Sequence, residues 1–295
     1  MSRPTDLDAM AKHWADALAS WAIPQELLDA AARDPWVLPV SRFAHRADRA
    51  LRAPAGVSFE RAAEVLAGAP GSVLDVGAGA GAASLPLGPL TTYITAVDPN
   101  VAMLEAFSER AREQGLDGRT LIGRWPDVAE ILEPHDLTVV HHVVYNVADI
   151  VPFLLALDAA TVRRVVLELP THHPLTWMSP LWQHFHGLDR PTSPTADDLV
   201  EILGSLLGSH GVADLHAEHW QFRDTEQGTA GVDGSGHSVA VRAAIVAQRL
   251  CLPESREGEV AHVLQQTPDD PHRDLVTISW TPSARSPRSG SHHRR

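Results

Sequence analysis

The sequence predicts an α/β fold: a doubly wound, mostly parallel sheet of seven strands behind an N-terminal helical cap. Three observations lead there. Between residues 72 and 170, short apolar runs alternate with helical stretches, as in strands joined by crossover helices. The run Val73-Leu74-Asp75-Val76-Gly77-Ala78-Gly79-Ala80-Gly81 joins a buried strand to a tight glycine loop. The first 70 residues, by contrast, read as helices.

In the cap, Leu7, Met10, Ala11, Trp14, Ala17, Leu18 and Trp21 keep the helical period. Pro24 opens a second helix over 25–33, because proline suits a helix start. Pro35, Trp36 and Pro39 form a bend, and helices over 41–52 and 58–68 follow. Trp14, Trp21, Trp36 and Phe43 either line a pocket or pack the cap onto the sheet. Arg42, Arg46, Arg49 and Arg52 share one helical face, which reads as solvated.

Strands are expected over 73–76, 93–98, 120–125, 137–144 and 164–169. The helix after the glycines is short, since Pro86 and Pro89 end it. A helix over 101–114 stops at Gly115, a short one runs to Leu132, and another spans 149–160. The fourth strand is apolar on both faces, as a central parallel strand should be.

Residues 171–191 leave the fifth strand as a Trp-, His- and Pro-rich rim segment. It reads either as a substrate lid bearing His172, His173, His184 or His186, or as an amphipathic helix burying Leu181, Trp182, Phe185 and Leu188. Thr195 caps a helix to about residue 209. A sixth strand over 212–222, a glycine-rich loop over 228–236, helices over 239–250 and 254–266, and a last strand over 275–280 complete the domain. The 239–250 run would also suit a strand. The expected organisation is a cap over 1–70, a sheet domain over 71–281 and a disordered tail over 282–295.

Asp75-x-Gly77-x-Gly79-x-Gly81 resembles motif I of the class I S-adenosylmethionine-dependent methyltransferases. Asp98 closes the next strand 17 residues beyond Gly81, where that family binds ribose hydroxyls with a carboxylate. Asp136-Leu137-Thr138-Val139-Val140 resembles the family's fourth strand and Arg164-Val165-Val166-Leu167-Glu168 its fifth. The resemblance implies the family's seven-stranded fold, S-adenosyl-L-methionine as methyl donor, and an enzyme that transfers a methyl group by in-line displacement.

On that basis the donor site comprises Asp75, Gly77, Ala78, Gly79, Gly81, Asp98, Pro99, Met103, Trp125, Asp127 and His141. His142, Tyr145 and Asn146, after the fourth strand, are the candidates for contact with the acceptor. His141 and His142 point to opposite faces if the strand persists, so at most one would face the pocket. Gly77-x-Gly79-x-x-Ala82 also fits a dinucleotide fingerprint, with Asp98 at the expected distance. Asp75 beside a pyrophosphate would be repulsive, whereas a sulfonium with an α-amino group is favoured by the same carboxylate. An NAD(P)-binding oxidoreductase and a non-catalytic donor-binding regulator stay open as alternatives.

The charge is −13, and the last 14 residues contribute four arginines and no acid. An acidic body argues against a nucleic-acid acceptor and for a small molecule, methylated on O, N or C. No Asn/Asp-Pro-Pro-Tyr/Phe stretch follows the fourth strand, which argues against base amino methylation. Cys251 is the single cysteine, so no internal disulfide or CxxC metal site is expected, and a reducing cytoplasm is. No metal is expected in the 171–191 segment, which has no HxxxH pair. No signal pattern or membrane span is read, and the oligomeric state is left open.

Overall fold

In the computed structural model, residues 6–209, 212, 214–223, 239–266 and 272–283 are described. The expected 228–236 loop and all but the first two residues of the expected tail lie outside them.

Four helices come first: α1 (Leu7–Ala19), α2 (Gln25–Ala30), α3 (Val40–Arg52) and α4 (Val57–Ala67). Then follow β1 (Gly71–Val76), β2 (Thr91–Asp98), α5 (Val101–Glu113), β3 (Gly118–Ile122), β4 (His135–His141), α6 (Ile150–Ala159) and β5 (Thr161–Pro170). The chain continues through α7 (Ser179–His186), α8 (Ala196–Ser209), β6 (His216–Arg223), α9 (Val239–Arg249), α10 (Glu257–Gln266) and β7 (His272–Trp280). The sheet order is β3-β2-β1-β4-β5-β7-β6. The first five strands are parallel, and β7 lies antiparallel between β5 and β6. This is the expected seven-stranded, mostly parallel sheet.

Every residue of β1 is buried, which is why its sequence is a continuous apolar run broken only by Ser72 and Asp75. One core layer joins α1, α6 and α8 to the sheet through Trp14, Phe153, Leu203 and Trp280. A second sets α4, α5 and the Leu85–Leu90 3₁₀ helix on the sheet through Leu66, Leu87 and Phe107. A third cluster gathers Ile23, Trp182, Val246, Leu250 and Val260 from α7, α9, α10 and the α1–α2 connection. The rim segment is therefore built into a helical unit, with Leu181 and Trp182 buried and Phe185 and Leu188 packed beside them.

Four expectations are revised. The chain after the glycines forms turns and the 3₁₀ helix Leu85–Leu90 in place of an α-helix, since Pro86 and Pro89 lack the N–H groups a regular helix needs. The third strand is Gly118–Ile122, so Trp125 lies beyond it. The fourth ends at His141, because His142 takes a left-handed φ of +59° and breaks the pleat. Of the arginine face of α3, Arg42, Arg46 and Arg49 are half-buried, and only Arg52 is exposed. Residues 239–249 are helical, which settles that ambiguity.

Candidate functional site

β1 and β2 end side by side, and between them the chain makes the glycine loop. Gly77, Gly79 and Gly81 have φ of +71°, +53° and +91°, as the loop requires of residues without Cβ. Their reasons differ. A Cβ on Gly77 would lie 2.4 Å from Val143, and one on Gly81 2.5 Å from Leu85, so both are fixed by packing. A Cβ on Gly79 would meet only the Phe43 ring, at 4.0 Å. Gly79 thus presents bare backbone to open space under α3.

Two carboxylates flank this loop. Asp98 accepts the Gly79 N–H at 3.0 Å and the Asn100 N–H at 2.8 Å, tying loop to strand. Asp75 is 1% exposed and accepts the Ser84 hydroxyl at 2.5 Å. Burial, and to a lesser degree the charge of Asp98, pushes its carboxyl up to about 7 against the opposing Ser84 bond. Ala78 is buried and Pro99 exposed. Met103 is buried on the first turn of α5, which Asn100 caps through the N–H groups of Ala102 and Met103.

Trp125 and Asp127 do not join the loop directly. The Trp125 indole donates to the Phe153 carbonyl at 3.2 Å and packs on the α6 side of the core, while Asp127 is exposed.

At the end of β4 a second cluster forms. His141 pairs in register with Glu168 on β5, its Nδ1 3.8 Å from Glu168 Oε1. Because the chain turns at His142, that ring also reaches Glu168, its Nε2 3.1 Å from Oε1. Both histidines therefore converge on one carboxylate, against the expectation of opposite faces. Arg46 of α3 closes on His142 Nε2, and the Ser58 hydroxyl donates to Glu168 Oε2.

The electrostatics of the cluster are coupled. Burial alone would raise Glu168, but His141, His142 and Ser58 more than offset it and hold the carboxyl well below its ordinary range. Burial pushes Arg46 down to about 10, so it stays cationic at neutral pH. Burial and then Arg46 push His142 down to about 4, and burial lowers His141, so both rings are neutral.

The other acceptor candidates part company here. Tyr145 is 4% exposed, its hydroxyl donates to the Pro170 carbonyl at 2.9 Å, and its ring stacks on Trp14. Burial pushes its pKa far above the usual phenol value. Asn146 is exposed, with its amide donating to the Val143 carbonyl at 3.2 Å. Of the cap aromatics, Trp14 and Trp21 are buried, Trp36 is 51% exposed, and Phe43 alone faces the glycine loop. His173 stacks on Trp21 at 3.9 Å within the packing of the rim segment.

Sequence reasoning did not single out Glu168, Arg46 or Ser58 as site residues. Glu168 had a signal: an acid inside the apolar run Val165-Val166-Leu167-Glu168-Leu169 needs a buried partner. Arg46 had none beyond its helical face. Among the described residues, no group of three or more His, Cys, Asp or Glu could hold a metal ion, and no helix is long and apolar enough to cross a membrane.

Residues 74–161 match a family described as "Methyltransferase domain". No curated protein matches the chain. Among solved structures, the YcgJ protein from Bacillus subtilis is 16% identical, with 75% of this chain and 99% of that one covered, at a TM-score of 0.45. A putative methyltransferase from Bacillus halodurans is 12% identical, with 76% and 100% covered, at 0.45. TehB from Haemophilus influenzae is 16% identical, with 74% and 61% covered, at 0.42. The matched segment spans β1 to the start of β5 and contains the glycine loop, Asp98 and the His141–His142 pair. Residues 74–161 thus resemble a methyltransferase domain, set within a seven-stranded sheet of order β3-β2-β1-β4-β5-β7-β6.

Proposed function

We propose that the protein methylates a small-molecule acceptor, with S-adenosyl-L-methionine over Gly79 and the acceptor at the end of β4. The observation that carries this reading is the pair of carboxylates, Asp75 and Asp98, around a loop whose one open glycine has room for a ligand. Two acids there favour a ligand bearing a sulfonium and an ammonium, and oppose a pyrophosphate. Gly79 would admit the donor against bare backbone, Gly77 would hold the loop in place against Val143, and Asp98 has lone pairs left for ribose hydroxyls. Pro99 and Met103, with Trp125 and Asp127 beyond β3, would bound its base.

The donor supplies a methyl group that is already activated. What remains for the chain is alignment and exclusion of water. α3 covers the loop with Phe43, its Arg46 closes on His142, and Asp48 anchors that helix to Arg110 of α5 at 2.6 Å. Asn146 offers an exposed carboxamide for orienting the acceptor, while His142 and Tyr145 serve as wall. The charge of −13 favours a small acceptor over a polyanion. The soluble, cytoplasmic setting read from the sequence belongs to the same proposal.

Calorimetric titration with S-adenosylhomocysteine, NAD(H) and NADP(H) tests the donor assignment. Saturable binding of S-adenosylhomocysteine alone is expected. Binding of a dinucleotide without S-adenosylhomocysteine would overturn it.

A further inference from the structure

α3 carries Arg42, Arg46 and Arg49 along one face, each a turn from the next. Arg46 closes on His142 at the end of β4. Arg49 lies over the Phe222 ring of β6, its guanidinium carbon 5.8 Å from the centroid. Phe222 pairs directly with Arg273 of β7, which is exposed. Directly paired side chains stand about 5 Å apart at Cβ, so Arg49 and Arg273 flank one ring.

The strand register places this pair at the ligand-binding end of the sheet. β7 runs antiparallel to β5, with Pro170 paired to Leu275, so Arg273 stands at the rim beyond the end of β5. Along β7 it shares a face with Thr277, whose partner on β5 is Glu168. Arg273 and the arginines of α3 therefore gather over one face and one end of the sheet.

The charges are close enough to act on one another. Burial does most to lower Arg46; Glu168 pulls it up, and Arg273, Arg49 and Arg42 push it down. Arg249, at the end of α9, is lowered by burial and then by Arg42. The acids beside these arginines in sequence face elsewhere. Asp48 is turned to Arg110 of α5 at 2.6 Å. Asp274, on the other face of β7, accepts the Gln221 amide at 2.9 Å. In a chain of net charge −13 this is a local concentration of positive charge.

Phe43, next to Arg42 on α3, stands over Gly79, so the patch begins at the glycine loop and runs away from it. With neighbouring strands about 5 Å apart, β7 stands about 15 Å from β1 and about 10 Å from β4. A donor held between Asp75 and Asp98 occupies the near end. Arg49 and Arg273 lie at the far end, past the proposed acceptor position at β4.

We propose that Arg49 and Arg273 bind an anionic group of the acceptor, a carboxylate or a phosphate, remote from the atom that receives the methyl group. Arg42 and Arg46 strengthen the field there. This rests on the methyltransferase reading and names the acceptor class for it. The planar guanidinium fork matches either anion, and five N–H donors let each arginine take an anion alongside its other contacts. A small anion suits the patch, whereas a polyanion would also meet the acidic surface around it.

Ligand-observed NMR on the whole chain, with and without saturating S-adenosylhomocysteine, tests this with phenyl phosphate, benzoate, benzyl alcohol and benzylamine as probes. Saturable binding of phenyl phosphate or benzoate is expected, and the tighter of the two tells which anion the site takes. Arg49→Gln and Arg273→Gln should each weaken that binding about tenfold or more, as charge-assisted hydrogen bonds are lost. Arg119→Gln, on the edge strand β3, should leave it unchanged. Binding of neither anion, equal binding of benzyl alcohol or benzylamine, or affinity indifferent to Arg49 and Arg273 would overturn the proposal. So would expulsion of the anion by S-adenosylhomocysteine, which would give the arginines to the donor's own carboxylate. Failure of S-adenosylhomocysteine to bind would instead sink the methyltransferase reading, with the anion titrations made without it still readable.

Discussion

Asp75 concentrates the argument at the level of single residues. Its carboxyl is raised from 3.8 to about 7, chiefly by burial. A raised acid binds its proton more tightly in the folded chain than in the unfolded one. Its contribution is therefore complete below the unfolded value and is lost as pH climbs through about 7. On the order of 4 kcal/mol of ligand-free stability is at stake across that window. Denaturant titrations at pH 5 and pH 8 should show Asp75→Asn sparing most of that loss. The same carboxylate ties pH to binding, because a cationic ligand favours the ionised form. S-adenosylhomocysteine affinity should rise from pH 6 to pH 8 in the unmodified chain, and Asp75→Asn should flatten the rise, as read by calorimetry.

Helices and strands were legible to different degrees, for physical reasons. β1, β2 and β5 are recognisable because burial on both faces forces continuous apolar runs. α5 is readable from the Asn100 cap to the left-handed Gly115 that ends it. The end of β4 was not, since nothing in His141-His142-Val143 announces a left-handed histidine. That one turn decides the site, because it folds both histidines onto Glu168 where a persisting strand would have separated them. Arg46 escaped notice for a related reason. A row of arginines at helical spacing looks alike whether it faces water or a buried carboxylate far along the chain. α1 shows how the cap is held: Trp14 is fully buried, its indole donates to the Val147 carbonyl at 2.8 Å, and its ring stacks on Tyr145. Trp14→Ala should cost about 3–5 kcal/mol in a denaturant melt. A smaller loss would mean that α1 is a loosely laid flap.

Across the whole molecule, the sheet and its three apolar clusters set the glycine loop and the His141–Glu168 pair at the C-terminal ends of adjacent strands, where open α/β sheets bind ligands. The helical unit of α7, α9 and α10 takes in the rim segment, where His173 stacks on Trp21 and His186 is hydrogen-bonded to the Leu250 carbonyl at 2.7 Å. The overall charge of −13 makes a further prediction. Duplex DNA and single-stranded RNA at low salt should give no mobility shift with the protein, because counterion release needs a basic surface. A salt-dependent shift would reopen the nucleic-acid class of acceptor.

The proposed donor site can be tested by one matched pair of glycines. Gly79 and Gly115 both sit at left-handed φ, +53° and +67°, and neither would have a new Cβ in a clash. Alanine at either position should cost about 1–2 kcal/mol of stability. S-adenosylhomocysteine affinity, measured by calorimetry, should collapse in Gly79→Ala and stay unchanged in Gly115→Ala. Undiminished affinity in a folded Gly79→Ala protein would contradict the account.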